Sequence, residues 1–188
     1  AMTCALFVTD PAHFDAAVPG GVQLCSRDYV ALLRECGLDV EIHRVPHTRS
    51  VATRMLIRAG IEVYRRYDFA AQMAALDARI RELDVSVVAL NQVALMGFAP
   101  LLRKRWGNRI RIVLLSHGNE SGDFLHDLVR RPRGLLARLR DTYRLGALLR
   151  REAEVFSSAI DLLLAISEND LRIGQWLGAN RAVFVPRS

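Results

Sequence analysis

Four short apolar runs, Thr3–Thr9, Val85–Leu90, Ile110–Leu115 and Asp161–Ile166, each give way to polar residues and then to a stretch with helical spacing. A continuous apolar run of strand length is the pattern of a parallel strand covered on both faces. Parallel neighbours must be joined by a crossover, and the helical stretches between the runs supply it. The alternation therefore predicts an α/β architecture, a parallel sheet of six or seven strands with helices on both faces.

The remaining segments extend this frame. Val40–Val45 alternates apolar and polar residues, which predicts a strand exposed on one face and ended by Pro46, and Ala182–Val185 reads as a short final strand. A first helix begins directly after Gly20-Gly21. It carries Val22, Cys25, Tyr29, Leu32, Leu33 and Cys36 on its buried face and is stopped by Gly37. Ser50–Arg66 has helical spacing, although Gly60 argues against one unbroken helix. Further helices are expected over Phe69–Leu83, over Gln92–Trp106 with Pro100 as a kink or break, and over Leu125–Ala159 with an interruption near Pro132 and Gly134. A last one should run from Ser167 to about Leu177.

Composition narrows the class. With 188 residues, 51% hydrophobic and 24% charged, the chain can bury a full core as one domain and is not a disordered segment. Val85–Leu102 has no formal charge, but Ser86, Asn91, Gln92, Gly97 and Pro100 divide it into a strand and a buried helix rather than a membrane span. The net charge of +6 is almost wholly arginine, since Lys104 is the single lysine. These arginines are interleaved with acids and lack accompanying surface aromatics, so no nucleic-acid partner is expected. Cys4, Cys25 and Cys36 form no C-x-x-C pair and read as apolar-face residues of a reducing, cytoplasmic compartment. The first apolar segment is only strand length and has no basic region before it, so no secretory signal is expected.

In an open parallel sheet, ligands bind beyond the carboxyl ends of the strands. Those ends hold Asp10 and Pro19-Gly20-Gly21, Asn91 and Gln92, Ser116 to Asp123, and Ser167 to Asp170. Gly20-Gly21 at a helix N-terminus is suited to a phosphate, or is simply a turn, because G-x-G-x-x-G is absent. His117 is either satisfied by nearby backbone or a ligand contact, and Glu120 and Asp123 read as loop acids or caps of a helix opening at Phe124, with sugar or general-base contacts as the alternative. Ser167 with Asp170 fits a capping box. No metal site is expected: His43-x-x-x-His47 straddles Pro46, and His13, His117 and His126 have no ligand spacing. G-x-S-x-G, P-loop and H-E-x-x-H motifs are absent, and no cofactor is expected.

Thr9-Asp10, the loop to Pro19-Gly20-Gly21-Val22-Gln23, Ser116-His117-Gly118, and Ala159 to Glu168 before Val183-Phe184-Val185-Pro186 follow one another in an order that resembles a family. It is the N-terminal domain of family 4 retaining glycosyltransferases of the GT-B fold, and the resemblance spans essentially the whole chain. It implies a Rossmann-like domain that faces a second across a cleft, with residues 1–188 as the acceptor-side half. The C-terminal half, which would bind most of the nucleotide sugar and carry E-x7-E, would be absent from this chain, so the fragment alone would not transfer sugar. It further implies backbone contact of Gly20 and Gly21 with the donor diphosphate, His117 as the catalytic residue near the transferred sugar, and Asn91, Gln92, Gly118 and Glu120 on the acceptor side. The partners implied are a nucleotide-sugar donor and a bacterial glycan or lipid-linked acceptor. Arg187 departs from the family, which commonly has asparagine there. A free-standing Rossmann-like nucleotide-binding or regulatory module is the competing reading.

One stretch stands apart. Residues 130–151 combine Arg130, Arg131, Arg133, Arg138, Arg140, Arg144, Arg150 and Arg151 with leucines at helical spacing. Such a helix either lies on an anionic membrane, holding the protein at its inner face, or packs its leucines on the sheet and solvates its arginines; the second is expected.

Overall fold

The computed structural model describes residues 3–15, 20–48, 50–58, 63–131 and 134–186. Pro19, Gly60, Pro132, Arg133 and Arg187, which the sequence places at turns, breaks, in the basic stretch or at a departure from the family, lie outside that set.

Six strands form one sheet: β1 (Thr3–Thr9), β2 (Leu38–Arg44), β3 (Val87–Asn91), β4 (Arg111–Ser116), β5 (Leu162–Ala165) and β6 (Ala182–Phe184). Their order is β2-β1-β3-β4-β5-β6, and each neighbouring pair is parallel. The helices are α1 (Gly21–Glu35), α2 (Val51–Arg58), α3 (Phe69–Glu82), α4 (Phe98–Trp106), α5 (Glu120–Arg130), α6 (Leu135–Ser158) and α7 (Glu168–Trp176). The chain winds outward from β1 to β2, then returns to the far side of β1 to lay down β3. The carboxyl ends of β1 and β3 therefore flank the topological switch point, where chain connections leave in opposite directions and a crevice opens.

Alternate residues of each central strand feed two cores. Leu6, Val8, Val88, Leu90, Ile112 and Leu114 face Leu76 and Ile80 of α3, Phe98 and Leu102 of α4, and Val155 and Phe156 of α6. Ala5, Phe7, Ala89, Val113 and Leu115 face Tyr29, Val30 and Leu33 of α1. Helices thus cover both faces, as the apolar runs require.

Several boundaries differ from the sequence-based expectation, each for a local reason. The helix expected over Gln92–Trp106 is a short 3₁₀ turn, Val93–Leu95, followed by α4, because Gln92 takes φ 94° and cannot be helical. Pro100 neither kinks nor breaks α4. It sits at the third helical position, where its missing N–H has no intrahelical carbonyl to serve. The helix expected from Leu125 opens five residues earlier at Glu120, so Glu120 and Asp123 lie in its first turn, not in a loop or capping Phe124. The helical spacing over Ser50–Arg66 is met by α2 and a separate 3₁₀ turn, Val63–Arg66, not by one unbroken helix, in line with the expectation from Gly60. Val45 lies just past β2, with its N–H bonded to the Thr9 carbonyl at 2.8 Å. Cys36 is exposed at the end of α1 instead of lying in its buried face. On α6, Leu148 is buried and Leu149 packs against the core, but Leu135, Leu136 and Leu139 are 74%, 82% and 61% exposed, so the leucines do not all pack on the sheet.

Candidate functional site

The polar residues at the carboxyl ends of β1, β3 and β4 form two linked clusters. Asn91, the last residue of β3, is fully buried and gives both Nδ2 protons to hydroxyls, Thr9 Oγ1 at 2.9 Å and Ser26 Oγ at 2.8 Å. Each hydroxyl spends its own proton on a carbonyl: Thr9 on Asp10 at 3.3 Å and Ser26 on Val22 at 2.8 Å. Both must therefore accept from Asn91, which turns its Oδ1 toward His117 Nε2 at 2.7 Å. That carbonyl can only accept, so His117 carries its proton on Nε2, and in the neutral ring Nδ1 is the basic nitrogen. The half-buried His117 ring also stands edge-on to Tyr29, centroids 5.5 Å apart, and the Tyr29 hydroxyl donates to the Ser116 carbonyl at 3.0 Å. A helix on one face of the sheet thus fixes the end of β4 as well as the histidine that follows it.

The second cluster surrounds Asp10, which is only 3% exposed. Its Oδ1 accepts from Ala12 N at 2.9 Å, and its Oδ2 accepts from the Tyr67 hydroxyl at 2.7 Å and meets His47 Nε2 at 2.5 Å. His13 Nδ1 lies 4.0 Å from the same oxygen and receives a hydrogen bond from the Gln92 amide. Burial holds the His13 imidazole below the ordinary histidine range, against the pull of Asp10 in the other direction, which agrees with its ring nitrogen accepting from Gln92. Burial, reinforced by the bond to Asp10, pushes the Tyr67 phenol well above its usual value. Gln92 itself has φ 94° and ψ 153°, a region left almost entirely to glycine. Strain of this kind persists only where the surroundings enforce it, and here it lies at the switch point of the sheet.

Gly20 and Gly21 open α1 beside these clusters. The N–H of Gly20 donates to Gln23 Oε1 at 2.9 Å, and Gln23 Nε2 donates to the Ala12 carbonyl at 2.8 Å. One glutamine side chain thereby ties the helix N-terminus to the loop after β1, and an anion at Gly20 would have to replace it. Gly118 occupies φ 125°, where a side chain is strained, and its N–H donates to Ser116 Oγ at 3.2 Å. Glu120 is half-buried in the first turn of α5, where the helix dipole favours a carboxylate.

Asn119 carries no functional signal in the sequence beyond its place in the loop after β4. It holds the N-cap position of α5, is 2% exposed, and neither its Nδ2 nor its Oδ1 has a hydrogen-bond partner. The capping is done from elsewhere: Glu152 of α6 accepts from Ser121 N at 3.0 Å and from Ser121 Oγ at 2.5 Å. A helix start recognised at Asn-Glu-Ser would have drawn attention to it. His13 and His47 were likewise set aside for lack of metal spacing, and the fold joins them through Asp10. Among the described residues, no group of three or more His, Cys, Asp or Glu side chains could hold a metal ion. Ser167 does cap α7, accepting from Asp170 N at 3.1 Å, but its hydroxyl donates to the Asp170 carboxylate at 2.6 Å. The reciprocal half of the expected box is therefore closed by a side chain.

No protein-family profile matches the chain, and no curated protein sequence does. Among solved structures it is similar to Anabaena HepE in complex with UDP and glucose, at 13% identity and a TM-score of 0.46, over 98% of this chain and 44% of that one. The chain thus spans less than half the length of HepE.

Proposed function

We propose that this chain is the acceptor-side half of a glycosyltransferase that moves a sugar, with retention of configuration, from a nucleotide-sugar donor to a glycan or lipid-linked acceptor. The observation that carries the reading is His117 held in one tautomer by the wholly buried Asn91 at the switch point of a parallel sheet. A group fixed before substrate arrives loses little freedom as charge develops, which is the form electrostatic stabilisation takes in an enzyme. In this role the His117 Nε2 proton belongs to Asn91 and Nδ1 is buried, so the residue would meet the transferred sugar through the edge of its ring or the backbone of its loop. Asn91 is a positioning residue, because both its donors are already used inside the protein. Gln92, Gly118 and Glu120 would shape the acceptor side. Gly20 and Gly21 would meet the donor diphosphate once Gln23 withdraws. A second domain would hold the rest of the donor, leaving this half inactive alone, at the inner face of the cell membrane.

The test is transfer from labelled nucleotide sugars by the full-length protein, read alongside its downstream sequence. His117→Ala is expected to lower kcat by about 10²-fold or more in a protein that still folds, at a cost of about 1–3 kcal/mol for the Asn91 Oδ1 left unpaired, and Gly21→Val to weaken donor binding. Near-normal turnover in both variants, or a reading frame without a following E-x7-E domain, overturns the proposal.

A further inference from the structure

The α5–α6 hairpin carries an apolar face that the fold does not use. On α6, Asp141, Leu148, Glu152, Val155 and Phe156 face the protein. Leu135, Leu136, Leu139 and Tyr143 fall within about 100° of arc on roughly the opposite side. They are 74%, 82%, 61% and 81% exposed. Val129, near the end of α5 and six residues before Leu135, is 80% exposed and adds to the apolar surface.

The charge beside this face is of one sign. Arg130 and Arg131 close α5, and Arg138 and Arg140 border the leucines on α6. Arg131 is paired with Asp127 at 3.0 Å and Arg140 with the buried Asp141 at 2.9 Å. Among the described residues, no acidic partner lies within ion-pair reach of Arg130 or Arg138. Exposed leucine, valine and tyrosine with arginines at their margin match the boundary of an anionic lipid bilayer: the apolar side chains enter the acyl edge and the guanidinium groups stay among the headgroups. A second copy of the chain would set the same arginines against each other. The hairpin is also too short and too charged to span a bilayer, and no helix among the described residues is long and apolar enough to do so.

We infer that the end of α5 at Val129 and the start of α6, through Leu135, Leu136, Leu139 and Tyr143, dock the protein on anionic membrane lipid. The docking rests on this surface alone. Taken with the proposed function, it would present a lipid-linked acceptor about one length of α5, ~17 Å, from the loop carrying His117.

The experiment is co-sedimentation of the protein with vesicles of phosphatidylcholine alone or with about one-third phosphatidylglycerol at several salt concentrations. Binding is expected only to the anionic vesicles, weakening as salt rises. Arg130→Gln and Arg138→Gln should each reduce the partition coefficient about fivefold. Leu136→Ser with Leu139→Ser should abolish sedimentation while leaving the unfolding midpoint and sugar transfer to a soluble acceptor unchanged, so that a failed docking site and a failed enzyme give different results. Absent binding, equal binding to neutral vesicles, or indifference to these substitutions overturns the inference. So does a dimer in solution that Leu136→Ser with Leu139→Ser converts to monomer.

Discussion

The residue that most separates stability from function is Gln92. Its backbone lies in a glycine-like region, which costs about 1–3 kcal/mol, while its side chain bonds His13 and its N–H bonds the Leu115 carbonyl at 2.8 Å. Gln92→Gly would relieve the strain at the cost of greater freedom in the unfolded chain, and is expected to raise the unfolding free energy by about 1 kcal/mol. Urea denaturation measures the gain. The same variant should lower transfer by the full-length enzyme, since the amide that fixes His13 is gone. Loss of stability in Gln92→Gly would mean that the lost bond to His13 outweighs the relieved strain. Sequence placed Gln92 at a strand end, but its dihedral angles are imposed by β3, β4 and the turn at Val93–Leu95 acting together. Asn91 is similar. Its position was legible, yet its use as a clamp on His117 depends on Ser26, 65 residues away in sequence.

At the scale of elements, α5 and α6 are joined by a buried carboxylate. Burial raises the Glu152 carboxyl above its ordinary value of 4.5, against the hydrogen bonds from Ser121 and Tyr64 that lower it. The folded state then binds the proton more tightly than the unfolded chain. The contribution of this group is therefore fully present below about pH 4.5 and is lost as pH rises through the raised folded pKa. Glu152→Gln keeps an oxygen for the Ser121 N–H but cannot ionise. Relative to wild type, its unfolding free energy should gain steadily between pH 4.5 and neutrality in denaturant titrations, and a constant difference would contradict the assignment. The entry to α4 depends on a different constraint. A Cβ at Gly97 would lie 2.4 Å from the ring of Phe69, which is packed edge-on against Phe98 with centroids 4.8 Å apart. Gly97→Ala should cost about 1–3 kcal/mol by thermal or urea unfolding, because Phe69 can clear the new methyl only by giving up its edge-on packing against Phe98. An unchanged midpoint would mean the helix shifts instead.

For the whole molecule, the parallel sheet, its six strands and the location of polar residues at their carboxyl ends followed from short-range patterns. Apolar runs, periodicity and glycine positions are properties of a few neighbouring residues, and burial on both faces of a strand is written into each run. Strand order is not. That β3 lies beside β1, placing a switch point between Asp10 and Asn91, is decided by how the crossovers pack. The same holds for the Asp10 cluster, which gathers His13, His47 and Tyr67 from separate segments, and for Asn119, which makes no cap because Glu152, 31 residues beyond Ser121 in the chain, takes Ser121 instead. On α6 the sequence showed leucines and arginines mingled, with packing on the sheet as the expected outcome. Only the tertiary structure assigns Leu148 to the core and Leu136 to solvent. The sequence by itself determined which segments carry a strand or a helix, though not every boundary, and where polar groups collect, because those depend on local sterics and hydrophobic period. The partners those groups find, and which apolar face stays uncovered, were decided by long-range packing that no local period encodes.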